Sequence, residues 1–200
     1  MFFGEDDYWA YVALMKERCG CEGLRVWAYC LMPNHTHLII VPGTEEGFRG
    51  IGEAHRRYTR RINFRHGWRG HLWQERFGSF VMDEPYLLNA ARYVERNPVR
   101  AGLVGRAEEW PYSSAAAHVT GRPDRLAEPQ WLTDLTAGWV CTWGEYLAED
   151  DDPDLGGNLH RHESTGRPLG ERPFVERLAR LLGRGLLPGK PGRPRKKRKP

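Results

Sequence analysis

The chain has 200 residues, of which 40% are hydrophobic and 12% aromatic, so it can build a core of its own. Charged residues make up 28% and no run of 18 apolar residues occurs, which argues against a membrane-spanning protein. None of its four cysteines forms a CxxC pair, so we expect neither a zinc ribbon nor a disulfide scaffold, but a reduced protein of the cytoplasm.

The predicted elements alternate between helix and strand. In chain order they are a helix over 6–18, strands over 24–29 and 37–41, a basic helix over 51–64, an extended segment over 72–82, and helices over 85–96 and 174–182. Asp83 is the predicted cap of the helix 85–96. Beyond residue 122 the pattern weakens, and the acidic, glycine-rich stretch 150–157 predicts a linker. Such an alternation indicates an α+β or α/β domain.

A cluster of arginines lies within the predicted globular part. Residues 49–76 hold eight arginines and no lysine, against Glu53 and Glu75. Arginine offers a planar fork for phosphate and a flat face for bases, and aromatic residues are interleaved with this cluster. A solvated helix face is the alternative, but the excess charge favours nucleic acid. The arginines of this cluster predicted to contact DNA are Arg56, Arg57, Arg60, Arg61 and Arg65.

The strongest concentration of positive charge is at the C-terminal end. The net charge is +4, and the last eleven residues hold seven basic side chains and no acidic one, so the rest of the chain is net acidic. Proline and glycine among them predict a disordered tail. We expect the tail to bind DNA phosphates by counterion release, or to enter a narrow minor groove like an AT-hook. The tail residues predicted to contact DNA are Arg193, Arg195, Lys196, Lys197 and Arg198.

A His-Thr-His triplet precedes the second predicted strand. On a strand, residues two apart face the same side, so His35 and His37 can converge on one metal ion. Two strand histidines without a metal are the alternative. A second triplet of this kind, at His160 and His162, lies in a polar stretch without a strand pattern, and we interpret it as a solvated loop.

Tyr93 and Asn97 lie four residues apart at the end of the helix predicted over 85–96, so they share one face. An amide oxygen can be the third ligand of a divalent ion, and a tyrosine one turn away would lie over the same ion. Alternatively, Tyr93 packs in the core and Asn97 caps the helix end, which is what the spacing by itself favours.

Four motifs, taken in order, resemble one known family. They are MPNHTHLIIVP, HLWQERF, YVERNPVRAGLV and EEWPYSS, and they span about residues 2–114. In these motifs the chain resembles the IS200-like Y1 (HUH) tyrosine transposases, and in particular their REP-associated branch. The stretch TGRPLGERPFVERLARLLGR and the GRP of the tail resemble the C-terminal extension of one group in that branch.

The resemblance implies roles for four residues. His35 and His37 match the family's metal-binding histidine pair, with Thr36 at a position that is usually hydrophobic. Tyr93 matches the nucleophile and Asn97 the polar third ligand. The family cleaves single-stranded or hairpin DNA with Mg²⁺ or Mn²⁺, forming a 5′-phosphotyrosine and a free 3′-OH. A divalent ion neutralises phosphate charge and helps to deprotonate a phenol, whose pKa is ordinarily about 10.

The resemblance also implies a fold, an α+β domain with a ferredoxin-like antiparallel sheet and helices on one face. We expect an IS200-like catalytic domain over 1–122, a C-terminal extension over 123–184 and the disordered basic tail over 185–200. The family's first strand normally precedes the position of Phe2, so we expect the sheet to lack that strand. The long C-terminal part favours a monomer over a homodimer, acting in the bacterial cytoplasm, at most at the nucleoid.

Two further functions stay open for this sequence. A domesticated or decayed relative would bind hairpin DNA without cutting it. A metal-dependent nuclease would use water as its nucleophile, and Tyr93 would then be dispensable. A covalent protein–DNA adduct distinguishes the strand transferase from both.

Overall fold

The computed structural model describes residues 1–44, 48–135, 137–138, 142–149 and 154–187. Helices dominate this part of the chain, and no helix in it is long and apolar enough to cross a membrane. The tail residues predicted to contact DNA lie outside it. In chain order the elements are α1 (Glu5–Glu22), β1 (Arg25–Leu31), β2 (Thr36–Val41), α2 (Phe48–His66), α3 (Glu84–Glu95), α4 (Asn97–Arg100), a 3₁₀ turn (Ala107–Glu109), α5 (Ala115–Thr120), α6 (Pro129–Leu135), α7 (Trp143–Ala148), α8 (Leu155–Thr165) and α9 (Arg172–Leu182).

The strands β1 and β2 form an antiparallel pair joined by a tight bend. The N–H of Met32 donates to the carbonyl of His35 over 2.9 Å and closes the bend. The register places Cys30 opposite His37. On the other edge of β1, Cys30 forms an antiparallel β-bridge with Ser113. Strand β1 is therefore central, and β2 follows directly from the bend that carries the first histidine.

Apolar side chains cover both faces of this sheet. On one face α1 and α2 form a helix layer, in which Tyr11 and Tyr58 are completely buried. On the other face α3 packs together with helices from the C-terminal part, and Ala28, Leu87 and Leu132 belong to one continuous cluster. The predicted C-terminal extension thus shares a core with the sheet, while the division at residue 122 stays a prediction.

The predicted α+β class with an antiparallel sheet is confirmed. The described residues form two strands, fewer than a complete ferredoxin-like sheet has, and α1 precedes both of them. The extended structure predicted over 72–82 is absent, apart from one bridge between Met82 and Leu169. This segment packs through its rings instead, since Trp73 stacks on His55 of α2 with ring centroids 4.0 Å apart.

A buried carboxylate joins the C-terminal helices to the sheet. The side chain of Glu95, at the end of α3, accepts a hydrogen bond from the hydroxyl of Ser114. It also lies 2.6 Å from Nδ1 of His118 in α5 and accepts the indole N–H of Trp143 in α7 over 2.7 Å. The Ser114 hydroxyl in turn accepts the N–H of Tyr29 in β1. One carboxylate therefore holds α3 against β1, α5 and α7.

Candidate active site

The bend between β1 and β2 brings the first histidine triplet to the sheet face that α3 covers. The rings of His35 and His37 lie with centroids 4.9 Å apart and planes at 82°. Both turn to the same side, as strand alternation predicts. The side-chain oxygen of Asn34 lies 2.7 Å from Nδ1 of His35 and orients this ring, which leaves Nε2 available to a ligand.

The environment of the pair keeps both imidazoles neutral. Burial is the main cause, and it lowers the pKa of His37 to about 4; the guanidinium of Arg100, and any proton taken up by His35 or His160, act in the same direction. Burial also lowers the pKa of His35, although the carboxylate of Glu163 opposes this shift. A neutral imidazole offers its lone pair to a metal ion without first releasing a proton. The pair therefore fits a divalent metal.

Helix α3 carries Tyr93 to this pair. The carboxylate of Asp83 caps the helix by accepting the N–H of Tyr86, and a proline occupies its first turn, as the sequence predicts. The ring of Tyr93 lies 6.2 Å from that of His37, centroid to centroid. The guanidinium carbon of Arg100 lies 3.8 Å from the centroid of the Tyr93 ring, a cation–π contact that holds the ring.

Asn97 begins α4, one turn after Tyr93. The N–H of Arg96 donates to the carbonyl of Arg92, so the helical hydrogen bonds of α3 continue up to the residue before α4. The Asn97 side chain is half-buried, and no described residue hydrogen-bonds its amide. Among the described residues no three His, Cys, Asp or Glu side chains cluster as they would around a metal. The assignment of Asn97 as a third ligand stays a prediction.

The solvated loop predicted at the second histidine triplet is wrong. His160 and His162 lie in α8, and so do the last residues of the linker predicted over 150–157. The side chains of Leu155 and Leu159 are buried in the cluster on the α3 side of the sheet. This tertiary packing outweighs the low helix propensity of the two glycines in the first turn of α8.

Helix α8 adds two residues to the site that the sequence did not reveal. The Nε2 atom of His160 lies 3.4 Å from the hydroxyl oxygen of Tyr93. Its Nδ1 atom lies 3.5 Å from the carboxylate of Glu163. The signal in the sequence is a His and a Glu three residues apart, which is common by chance. The contact itself joins residues 67 positions apart, and no local pattern predicts such a distance.

These side chains line a cavity of about 500 Å³. His37, Tyr93, His160 and Glu163 provide polar atoms, and apolar residues of β2, α3 and the segment 77–82 form much of the remaining wall. A few convergent polar groups in an apolar cavity are typical of a ligand site. The cavity is therefore where the sequence-predicted nucleophile and one of its predicted metal ligands meet.

A basic cleft of about 1110 Å³ runs along α2 beside this cavity. The two share Phe48, His55 and Phe77 as lining residues, so the cleft leads towards the cavity. Phe64, also in its lining, is 89% exposed, and an exposed ring next to positive charge suits stacking of unpaired bases. The arginines that line the cleft are Arg49, Arg56, Arg60 and Arg76.

Arg65, which the sequence predicts to contact DNA, has a structural partner. Its guanidinium donates two hydrogen bonds, of 2.6 and 2.8 Å, to the carboxylate of Asp7, whose side chain is fully buried. Burial alone would raise the pKa of Asp7, but the bonds from Arg65 and from the N–H of Phe3 outweigh it, and the pKa is lowered. Arg65 therefore joins α2 to α1, and its contact with DNA stays a prediction.

The other four predicted arginines of α2 fall into two groups. Arg56 and Arg57 both donate hydrogen bonds to the carboxylate of Glu53. Arg60 and Arg61 are exposed and form no ion pair with any residue that the structure describes. A guanidinium that is not already paired can bind phosphate without breaking an existing bond. The two unpaired arginines are thus the better candidates.

Comparison with known proteins shows what this part of the chain is similar to. Residues 1–97 match the sequence model of the family described as Transposase IS200 like. The matched part carries His35, His37, Tyr93 and Asn97, and it is similar to the IS200-like transposases. The relationship that the four sequence motifs indicate is thereby confirmed.

Two individual proteins show the similarity in more detail. A curated protein of Haemophilus influenzae, named "Putative REP-associated tyrosine transposase", is 28% identical over 111 residues, which are 50% of this chain and 63% of that relative. A solved structure of a REP-associated tyrosine transposase bound to a REP hairpin is 20% identical, with a TM-score of 0.48, over 60% of this chain and 73% of that chain. The chain thus spans less than two thirds of its curated relative.

Proposed function

We propose that this protein cleaves and rejoins single DNA strands, with Tyr93 as the nucleophile. The observation that carries the proposal is the approach of Tyr93 to the pair His35 and His37, within the part of the chain that matches the transposase family model. Tyr93 packs against the core on one side, yet it is half-buried and lines a cavity, so a substrate can reach it.

The chemistry follows from the nature of the substrate. A phosphodiester carries negative charge, which repels an attacking phenolate. The oxygen of Tyr93 forms a bond to phosphorus, the bond from phosphorus to the 3′ oxygen breaks, and that oxygen leaves as a 3′-OH. The 5′-phosphotyrosine conserves the energy of the broken bond, so the strand can be joined again to a 3′-OH. Mg²⁺ or Mn²⁺, held by His35, His37 and Asn97, would neutralise charge on the phosphate.

Arg100 supports the nucleophile from within the same chain. Its guanidinium donates a hydrogen bond of 2.6 Å to the carbonyl of Tyr93 and lies over the ring of this residue. A fixed positive charge at this distance stabilises the negative charge that the phenol oxygen carries once its proton has left. Because the histidine pair, Tyr93 and Arg100 all come from one chain, we propose that a monomer holds a complete site.

We further propose that single-stranded or hairpin DNA lies in the basic cleft along α2, with its scissile phosphate in the adjoining cavity. The cleft offers guanidinium groups for phosphates and exposed rings for unpaired bases. The basic tail adds affinity without sequence choice, because contacts to phosphate carry no sequence information.

The arginines without ion pairs give a test of this DNA path. The double substitution Arg60→Gln and Arg61→Gln should weaken binding of a single-stranded oligonucleotide and flatten its salt dependence, by roughly 0.7 in the log–log slope for each phosphate that the variant no longer neutralises. Fluorescence anisotropy over a salt series measures both. Arg172→Gln is the control, because this exposed arginine of α9 is paired with Glu176 and lies outside the cleft. An unchanged slope in the double variant would place the DNA elsewhere.

The third metal ligand can be tested without any reaction. Asn97→Ala should weaken binding of Mn²⁺ by about tenfold or more, because the loss of a direct ligand should cost at least as much as the loss of a supporting one. Isothermal titration with Mn²⁺ measures the affinity, and circular dichroism checks the fold. Asn89→Ala is the matched control, since this amide lies on α3 four residues before Tyr93 instead of four after it. Equal affinity in both variants would show that the Asn97 side chain holds no metal ion.

One assay separates the proposed function from its two alternatives. The protein is incubated with labelled single-stranded and hairpin oligonucleotides and Mg²⁺ or Mn²⁺, and the products are resolved under denaturing conditions. A labelled protein–DNA adduct supports the strand transferase. Cleaved DNA without an adduct supports a nuclease that uses water, and retention of intact DNA in a native gel supports a binding protein that does not cut.

A further inference from the structure

Helix α8 lies directly against the proposed nucleophile. A Cβ atom at Gly156 would come within 3.1 Å of Cε2 and 3.5 Å of the hydroxyl oxygen of Tyr93, so the backbone of α8 approaches the ring closely. Leu155 and Leu159, buried at 4% and 8% exposure, anchor the helix in the core. The position of α8 beside the Tyr93 hydroxyl is therefore fixed by packing.

The face of α8 that packs against Tyr93 carries two polar side chains, those of His160 and Glu163. Gly156, His160 and Glu163 follow one another at four and three residues, so they lie on one side of the helix. The Nε2 atom of His160 lies 3.4 Å from the Tyr93 oxygen, and its Nδ1 lies 3.5 Å from the Glu163 carboxylate. The Tyr93 hydroxyl, the His160 imidazole and the Glu163 carboxylate thus lie in a row in space. Proteins activate a hydroxyl in this way, with a base beside it and a third group that orients the base.

We propose that His160 is a catalytic residue of the strand transfer, accepting the proton of Tyr93 as its oxygen attacks, and that Glu163 is its positioning residue. This inference rests on the proposed function. When the Glu163 carboxylate, 3.5 Å away, accepts the Nδ1–H of His160, it favours the tautomer whose Nε2 lone pair faces the phenol. In cleavage the O–H bond of Tyr93 breaks and its proton moves to Nε2 as the O–P bond forms. The bond from phosphorus to the 3′ oxygen breaks, that oxygen takes a proton from a water molecule, and the proton of the His160 imidazolium neutralises the hydroxide that remains. Rejoining reverses each of these transfers.

The other imidazoles at the site are less suited to this role. The Nδ1 atom of His35 is engaged by Asn34, and its Nε2 is the atom left to hold a metal ion. His37 is also proposed to hold the metal ion. Its ring centroid lies 6.2 Å from that of Tyr93, and among the described residues it forms no hydrogen bond to the Tyr93 hydroxyl. His160 is the imidazole that contacts the reacting oxygen. Its side chain is 65% exposed, so small molecules can reach it.

The experiment measures the single-turnover rate of adduct formation at saturating single-stranded DNA, in the full-length protein. His160→Ala should form the adduct about 100-fold more slowly, within the range of general base catalysis, with unchanged DNA affinity. Added imidazole should restore part of the rate, because it can enter the space left by the side chain. Glu163→Gln should slow the reaction less. His162→Ala is the matched control, a histidine of the same helix whose Nδ1 lies 2.9 Å from the carbonyl of Arg167.

Three outcomes would overturn the inference. An unchanged rate in His160→Ala would show that another group takes the proton. A slow rate that imidazole does not restore, with a lowered melting temperature, would show that His160 only holds α8 in place. A faster rate would show that α8 covers Tyr93 and restrains it. If wild-type protein forms no adduct at all, the proposed function itself fails, which the same gel shows separately.

Discussion

Replacing Tyr93 with Phe is expected to abolish both strand cleavage and the covalent protein–DNA adduct, because the substitution removes the oxygen that attacks phosphorus. Binding of DNA should persist, since the ring, its contact with Arg100 and the cleft along α2 remain. Stability should fall by about 1 kcal/mol or less, because the hydroxyl's contact with His160 is long, at 3.4 Å, and near the surface. Denaturing electrophoresis of the protein with a labelled oligonucleotide measures the adduct.

Two other tyrosines serve as comparisons in this experiment. Tyr86→Phe is the matched control, because Tyr86 lies on α3 seven residues before Tyr93, and this variant should form the adduct at the wild-type rate. Tyr58 is unsuited to attack, since it is completely buried, burial raises its pKa, and its hydroxyl donates to the carbonyl of Met1. An adduct in the Tyr93→Phe variant would contradict the assignment and direct attention to Tyr86.

Replacing Glu95 with Ala is expected to lower the free energy of unfolding by about 3–5 kcal/mol. The carboxylate is fully buried, and its removal leaves the Trp143 indole N–H and Nδ1 of His118 without their partner in the core. Small domains are stable by only about 5–15 kcal/mol, so much of the variant would be unfolded at elevated temperature. Urea unfolding, followed by tryptophan fluorescence and circular dichroism, measures the difference.

A surface carboxylate provides the control for this loss. Glu17, half exposed and paired with Arg57 over 2.9 Å, should change the unfolding free energy by about 0.5 kcal/mol or less when replaced by Ala. Glu95→Gln keeps one oxygen as an acceptor and should be affected less than the Ala variant. A loss below about 1 kcal/mol in Glu95→Ala would mean that the helices are joined by their apolar contacts, and that the carboxylate adds little.

The sequence predicts the elements whose signals are local. The helix α3 follows from its capping Asp83 and its proline, and β1 and β2 from apolar runs on either side of a Pro-Asn bend. The extended structure predicted over 72–82 is wrong, because its aromatic residues suggest a strand, whereas Trp73 and its neighbours pack on α2 through their rings. Stacking between rings that are distant in the sequence produces no regular spacing of residues, so a sequence pattern cannot predict it.

The site can be predicted in part for the same reason. Strand alternation places His35 and His37 together, and helical spacing places Asn97 one turn after Tyr93. That the two pairs meet is expected from the resemblance, and the structure brings His37 and Tyr93 together. The sequence predicts a loop at His160 because glycines and polar residues surround it. Its place beside Tyr93 depends on the burial of leucines in α8 against a core formed mainly by other helices.

The buried carboxylate of Glu95 also imposes an order on events during synthesis. Chains leave the ribosome from the N-terminus, so its partners Ser114, His118 and Trp143 emerge one after another. Until the last of them arrives, α3 lacks the hydrogen bonds that join it to α5 and α7. A nascent chain that stalls soon after residue 97 therefore presents Tyr93 on a helix without this support. The helix that carries Tyr93 is thus fully supported only after most of the polypeptide has been made.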